Sequence, residues 1–347
     1  MSGRLRIDLD ALAANFQAFQ AAAAPGASAA VLKADGYGLG ARPLARRLWR
    51  EGCRSFFVAT AAEGVTIRTV LPEARIFVFE GVWRETLDEL LRHALIPVLN
   101  HGGQLDCWLA CAAGRPAAVH IDTGMQRLGF PADAQPGTFA GLNLVLLVTH
   151  LACADEPRHP LNRQQLDRFR RVHAGFPGVP ASIANSAAML LGREFASALG
   201  RPGIGLFGGN PCPGSANPMA TVVALEGRVL QMREVGAGET VGYGGSWRAD
   251  APCTLAIVGV GYADGLPRLL SNRGAVWLAG ERRPIIGRVS MDLTAVDATG
   301  LAVREGDWVE FFGAHVELDE VAGWAGTIGY EVLTRLGPRL ARCYVGD

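Results

Sequence analysis

The sequence predicts an α/β protein: a (β/α)8 TIM-type barrel over residues 1–216, followed by a second, mainly β domain over residues 217–347. Three observations carry this expectation. From residue 28 to about residue 208, eight short apolar runs alternate with amphipathic stretches, the rhythm of a parallel barrel wrapped in helices. After residue 216 the texture changes to strand-like runs joined by glycine turns. A length of 347 residues, 49% of them hydrophobic, exceeds one ordinary domain and suits a barrel with an appendage.

The opening "MSGRLRIDLD" alternates polar and apolar residues, so residues 1–9 read as a strand contributed to the β domain and not as the apolar core of a signal peptide. The eight barrel runs are 28–34, 55–60, 75–80, 96–100, 117–122, 144–150, 180–185 and 198–206. Between them "ARPLARRLWREG", "RETLDELLRHA" and "LNRQQLDRFRRVHAGF" place apolar residues three and four apart, as helices packed on a sheet do. Pro202 weakens the last run as a strand, which leaves a doubly wound open sheet as the alternative. The proline- and glycine-rich "GGNPCPGSANP", residues 208–218, marks the boundary. Beyond it, "MATVVALEGRVLQMREV", "CTLAIVGVGY", "AVWLAGERRPIIGRVS", "LTAVDA" and "DWVEFFG" read as strands, and "ELDEVAGWAG" and "YEVLTRLG" as short helices.

Composition narrows the function classes. The formal net charge is zero and arginines are interspersed with acids, which argues against a nucleic-acid surface or a polybasic membrane patch and for small-molecule chemistry. No stretch approaches the roughly 20 apolar residues of a membrane span. Seven cysteines, an odd number without a CxxC spacing, point to reduced thiols in the cytoplasm. Cys107 and Cys111 in "CWLAC" share a helix face, a packing pattern and not a metal site.

Of the 33 basic residues, one is lysine: Lys33, in "VLKADGYGLG". An ammonium can lose its proton in a suitable environment and act as a nucleophile, a base or a Schiff-base former, which a guanidinium cannot. Chance survival of one lysine in an arginine-rich chain is the competing account. Barrel active sites gather at the C-terminal strand ends. Lys33 closes the first run, Arg127 follows the fifth in "DTGMQR", and His150 closes the sixth. Asn185 and Ser186 close the seventh, and Arg201, Gly203 and Ile204 lie on the eighth. Taken singly, His150 also reads as a satisfied core histidine, "NS" as a helix cap and Arg127 as a surface loop residue. Together, an amine beside the hydroxyl and free amides of "NSAA" and "RPGIG" is what an aldehyde-bearing phosphate cofactor requires. Four of the five tyrosines, Tyr37, Tyr243, Tyr262 and Tyr330, sit beside glycine in loops, where phenols can donate hydrogen bonds or carry protons.

These stretches resemble the alanine racemase family. The likeness runs in family order through "IDLDALAANF", "VLKADGYGLG", "DTGMQRLGF", "VTHLACAD", "ANSAA", "RPGIGLFG", "VGYGGSW", "GYADGLPR", "GRVSMD" and "TIGYEV". It implies a pyridoxal 5'-phosphate enzyme interconverting L- and D-alanine and supplying D-alanine for cell-wall peptidoglycan. It also implies a homodimer whose sites combine the barrel of one chain with the β domain of the other.

Residue by residue, Lys33 matches the lysine that holds the cofactor as an internal aldimine, and Tyr243 the second catalytic base, given by the partner chain. Arg201 matches the arginine on the pyridine nitrogen, and Arg127 the one near the substrate carboxylate. Tyr37, Ser186, Gly203, Ile204 and Tyr330 match phosphate contacts, and His150 a residue beside the ring. The backbone of Met291 matches a substrate contact and Tyr262 an entrance residue. Two positions depart from the family. His120 stands where many members carry a lysine whose carbamate braces the arginine, and Phe207 where a tyrosine is common.

Racemases of other small amino acids such as serine, and related barrel-type decarboxylases, share much of this architecture. The chain shows neither a run of three glycines for the phosphate nor a catalytic cysteine motif of such decarboxylases.

Overall fold

The computed structural model describes residues 2–346, so Met1 and Asp347, the outermost residues of the two expected domains, lie outside it. The chain divides into two compact units. Among the described residues, one comprises 12–206 and 210–219; the other comprises 2–11, 207–209 and 220–346.

In the first unit all eight expected runs carry strands, and all pairings around the ring are parallel. β1 (Gly3–Asp8) belongs to the other unit. The barrel strands are β2 (Ala30–Val31, preceded by the short segment Ala27–Ser28), β3 (Ser55–Val58), β4 (Arg75–Val78) and β5 (Ile96–Leu99). They continue with β6 (Pro116–Asp122), β7 (Asn143–Val148), β8 (Ala181–Ser182) and β9 (Leu199–Gly200). Consecutive strands pair from β2 to β8. An Asn185–Arg201 bridge joins the seventh strand position to the eighth, and β9 pairs with Ala27–Ser28. The ring is therefore closed, which excludes the open sheet. Pro202 does not break it, because the proline lies just past β9 and its carbonyl still accepts the Val31 N–H at 3.0 Å.

Both faces of β3 and β5 are buried, as expected of strands enclosed by side chains within and helices outside. Phe57 on β3 stacks on Phe77 at 4.6 Å and on Phe79 at 5.1 Å between ring centroids, and is fully buried. The three helices read from periodicity appear as α3 (Ala41–Arg50), α5 (Arg84–Arg92) and α7 (Pro160–His173). They are joined by α1 (Leu9–Ala23), the left-handed segment α2 (Lys33–Tyr37), α4 (Ala61–Arg68) and α6 (Gly102–Cys111). α4 opens on a capping box between Thr60 and Glu63, and α7 starts with proline in its first turn. No α-helix follows β6 or β8. The glycine- and proline-rich chain there forms loops and short 3₁₀ turns, and these loops carry Arg127 and Ser186.

In the second unit the central element is the 13-residue β10 (Val223–Val235). Its first half lies between β1, antiparallel, and β15 (Trp308–Phe312); after a register shift at Val229–Gln231 its second half pairs with β11 (Cys253–Val258). The bend lets one strand serve two neighbours. β14 (Thr294–Asp297), β13 (Glu281–Ile286) and β12 (Ala275–Leu278) complete a closed ring of six antiparallel strands. β16 (Ala341–Val345) adds to β1 in parallel. The two expected short helices are α8 (Leu318–Trp324) and α9 (Gly329–Thr334). Among the described residues no helix is long and apolar enough to cross a membrane.

Because Phe57 is fully buried and stacked on two further rings, Phe57→Ala removes a large side chain from packed surroundings. Chemical denaturation should show a loss of about 3–5 kcal/mol; a loss below about 1 kcal/mol would place Phe57 outside the packed core.

Candidate active site

In the barrel unit, the chain turns sharply after β2. Ala34, Asp35, Gly36 and Tyr37 all adopt left-handed conformations, with φ between 52 and 64°. Three of them have a Cβ, and such conformations cost about 1–2 kcal/mol each, so they persist only where the surroundings hold them. Two carboxylates do so: Glu63 accepts the Ala34 N–H at 2.7 Å and Asp35 accepts the Ala41 N–H at 2.8 Å. The turn leaves Lys33 at the strand end and buries Tyr37. The Tyr37 hydroxyl lies so close to Gly203 that a Cβ there would stand 2.2 Å away. Ser186 Oγ accepts the N–H groups of Gly203, at 2.8 Å, and Gly205, at 3.3 Å. Ile204 opens the 3₁₀ turn Ile204–Phe207 directly after. Tyr37, Ser186, Gly203 and Ile204 thus form one cradle of two hydroxyls and adjoining backbone amides.

Arg201 is 3% exposed and forms no ion pair among the described residues. Its guanidinium donates to Ser182 Oγ, to the Thr149 carbonyl at 2.7 Å and to the Ile183 carbonyl. Burial draws its pKa down to about 9, so it remains protonated at neutral pH. Gln165 and Thr123 extend the network: Gln165 holds Thr123 Oγ1 and the His150 carbonyl, and Thr123 Oγ1 meets Thr149 Oγ1 at 2.8 Å. The loop after β6 is nested on Asp122, whose carboxylate accepts the N–H groups of Gly124, Met125 and Gln126. That loop presents Arg127, which has no hydrogen bond or ion pair among the described residues.

Positive groups dominate this end of the barrel. Lys33 opens to solvent, but its ammonium sits among enough protein that burial lowers its pKa; Arg127 lowers it further and Glu63 opposes both. His150, half-buried by surface area, is held well below the usual histidine range, first by burial and then by Arg201, Arg127, His120 and Lys33.

His120 is 8% exposed and its pKa falls to about 4, through burial first and then Arg201, with Asp122 opposing. His120 Nδ1 lies 3.0 Å from Asn100 Oδ1. The Asn100 amide nitrogen donates to the Phe79 and Val98 carbonyls, which fixes its oxygen toward His120. Nδ1 must therefore carry the proton, and Nε2 presents a lone pair. Nε2 is buried without a partner.

The β unit gathers the other four expected residues on exposed turns. Tyr243 is 70% exposed, on a turn within the hairpin Thr240–Val241 and Trp247–Arg248. Tyr262 and Met291 lie together: Tyr262 N–H donates to the Ser290 carbonyl and Ala263 N–H to the Met291 carbonyl. Arg339 ties both loops by bonding Asp264 and Asp292. Tyr330 stands in the first turn of α9 and is also exposed.

Sequence reasoning passed over Asn100, Glu63, Thr123, Thr149, Gln165 and Ser182. Asn100 is the polar residue closing the run "IPVLN", the same signal that drew attention to His150. Glu63 is announced by the Thr-x-x-Glu capping pattern after β3. Ser182 and the residues around Arg201 carry no sequence signal of their own.

Chemically, the barrel end offers an amine whose charge is disfavoured, a cradle for an oxyanion group, and buried or unpaired donors from two arginines. The family descriptions "Alanine racemase, N-terminal domain" and "Alanine racemase, C-terminal domain" match residues 7–211 and 222–344. An alanine racemase of Rhodospirillum rubrum is 49% identical, over 99% of this chain and 96% of its own. A biosynthetic alanine racemase of Agrobacterium fabrum is 44% identical, over 99% and 93%. The crystal structure of alanine racemase from Bartonella henselae with covalently bound pyridoxal phosphate superposes with a TM-score of 0.94 at 37% identity, covering 99% of this chain and all of that one. Carrying both characteristic domains over almost its whole length, the chain belongs to the alanine racemase family.

Proposed function

We propose that the protein interconverts L- and D-alanine with pyridoxal 5'-phosphate, using Lys33 of one chain and Tyr243 of a partner chain as opposed bases. The observation that carries this reading is the sole lysine at the end of β2, on a barrel that also holds a buried Arg201 without an ion pair and the Tyr37–Ser186–Gly203 cradle. The residues fit the cofactor. Lys33 Nζ would bind its aldehyde carbon, while Tyr37, Ser186, Gly203 and Ile204, with Tyr330, would hold the phosphate, and His150 would lie beside the ring. Arg201 would donate to the ring nitrogen, and because a guanidinium keeps its protons, it would hold that nitrogen as an acceptor and restrain side reactions such as transamination.

When bound, the cofactor supplies an electron sink for negative charge at the substrate's Cα. Lys33 Nζ then exchanges a proton with one face of Cα and the Tyr243 phenolic oxygen with the other, so the substrate need not turn over. The lowered pKa of Lys33 favours the neutral amine this task needs. Arg127 would take the substrate carboxylate, the backbone of Met291 would meet the substrate, and Tyr262 would line the entrance. The exposure of Tyr243, Tyr262, Met291 and Tyr330 supports a surface completed by a second copy in a homodimer. The seven cysteines are all free thiols, in keeping with a cytoplasmic enzyme feeding D-alanine to peptidoglycan.

The His120 geometry suits a brace for Arg127: a lone pair without a donor, and nearby an arginine without an acceptor. His120→Ala should raise the KM for alanine about tenfold, the worth of one charge-assisted hydrogen bond. Activity should not respond to bicarbonate. A folded-state pKa near 4, against about 6.5 unfolded, means the folded chain binds fewer protons in that window, so His120 costs stability as pH falls from 6.5 toward 4. Between pH 7 and 5 the wild type should therefore lose about 2 kcal/mol more than His120→Gln in denaturant titrations. An unchanged KM in His120→Ala would remove the brace.

The shared site is tested by mixing two inactive homodimers, Lys33→Ala and Tyr243→Phe, and following the optical rotation of L-alanine. Random exchange yields about half heterodimers with one intact site in two, so activity should recover to roughly a quarter of wild type. Tagged heterodimers that form without regaining activity would show that Tyr243 serves its own chain or is not a base, and either result overturns the shared site.

A further inference from the structure

The acid that binds the peptide following Lys33 is not its sequence neighbour. Asp35 Oδ1 is engaged by the Ala41 N–H, whereas Glu63, thirty residues on, reaches back from the first turn of α4 to the peptide that follows Lys33. Glu63 Oε1 accepts the Ala34 N–H at 2.7 Å, and Oε2 accepts the N–H groups of Ala59 at 2.7 Å and Thr60 at 3.3 Å. Thr60 Oγ1 in turn accepts the N–H of Glu63 itself at 3.3 Å. One carboxylate thus spans two adjacent strand ends, β2 and β3, and both of its oxygens are fixed by backbone donors. Ala34, the residue it grips, is the first of the four left-handed residues and is joined directly to Lys33.

We propose that Glu63 is the positioning residue of Lys33: its carboxylate clamps the left-handed turn that sets the direction of the lysine and supplies the negative charge facing its nitrogen. The other groups that act on Lys33 are cationic or neutral. Arg127 on the loop after β6 disfavours the ammonium, and His150 at the end of β7 is coupled to it while itself held uncharged. Glu63 opposes burial and Arg127, so the nitrogen is balanced between an unpaired arginine on one side and a backbone-bound carboxylate on the other. A carboxylate whose two oxygens are committed to amide donors cannot swing to the amine, so it is fixed in place relative to Lys33. Lys33 is left without a salt bridge among the described residues, free to bond to a carbonyl carbon or carry a proton.

The inference rests on the reading of Lys33 as the cofactor lysine for its optical signal alone. In the holoenzyme, the visible absorbance of the Lys33-linked cofactor reports protonation of the Lys33 nitrogen. Removing a nearby negative charge disfavours the protonated form, so in Glu63→Gln the titration midpoint should move down by about one pH unit. A purely structural role would lower thermal stability and leave the midpoint in place, and that result would overturn the proposal. Should the Gln chain not fold, Glu63→Asp decides instead: withdrawn by one methylene, its carboxylate must lower the midpoint by part of that shift, and an unchanged midpoint overturns the proposal equally. If the protein binds no pyridoxal phosphate, the proposed function fails but this inference remains open to measurement. Reductive methylation with ¹³C-formaldehyde gives one dimethyl-lysine resonance, because Lys33 is the chain's only lysine. The pH titration of that resonance should show the same downward shift in Glu63→Gln, and coincident curves would refute it.

Discussion

A guanidinium held out of water without a carboxylate is the constraint around which the barrel end is organised. Arg201 is buried by its position one residue past β9, where the ring closes. Its charge is tolerated because the backbone carbonyls of Thr149 and Ile183 and the Ser182 hydroxyl solvate it, a partial substitute for the missing anion. Placing a carboxylate there would satisfy the charge and remove the reason for an anionic, acceptor-bearing ligand to enter. Lysine, two histidines and a second arginine around the same opening add to the effect, since each disfavours the charging of its neighbours. Burial first, and these neighbours after it, keep the two histidines neutral and push the lysine toward the amine.

The carboxylates that do stand near this opening are spent on backbone. Asp122 nests the loop that carries Arg127, Asp35 holds the start of α3, and Glu63 joins two strand ends. The amides of Gln104 and Gln165 do similar work from the following helices, Gln104 on the Asn100 N–H and the Glu80 carbonyl, Gln165 on the Ala152 N–H and the His150 carbonyl. Loops fixed this way need no helix after β6 or β8. The result is a rigid rim made of irregular chain, in which side chains at five strand ends can be held while the centre stays electropositive.

The barrel was legible because its strands are buried on both faces and so appear as continuous apolar runs, each ending at the first polar residue the rim exposes. That is why Lys33, His150 and Ser186 could be placed at strand ends from the sequence alone. The eighth run looked doubtful for a local reason, Pro202, and the doubt dissolved because the ring closes before it. What was illegible depends on contacts distant in sequence. Nothing near His120 announces that Asn100 fixes its tautomer, and nothing in "VLKADGYGLG" except Gly36 hints at four consecutive left-handed residues. In the second unit the strands could be read singly, but closure of their ring depends on a bend within β10 that a register shift creates and periodicity does not show. β16, charged and short, carried too little alternation to be recognised.

The account stands or falls on the destination of an aldehyde cofactor. Borohydride reduction of the protein loaded with pyridoxal 5'-phosphate, followed by peptide mapping by mass spectrometry, measures it directly. Only two amines compete, Lys33 and the chain's α-amino group. The account predicts one pyridoxyl group per chain, carried by Lys33 in the peptide containing "VLKADGYGLG". Label on the α-amine alone, or a chain that retains no label after reduction, would contradict it.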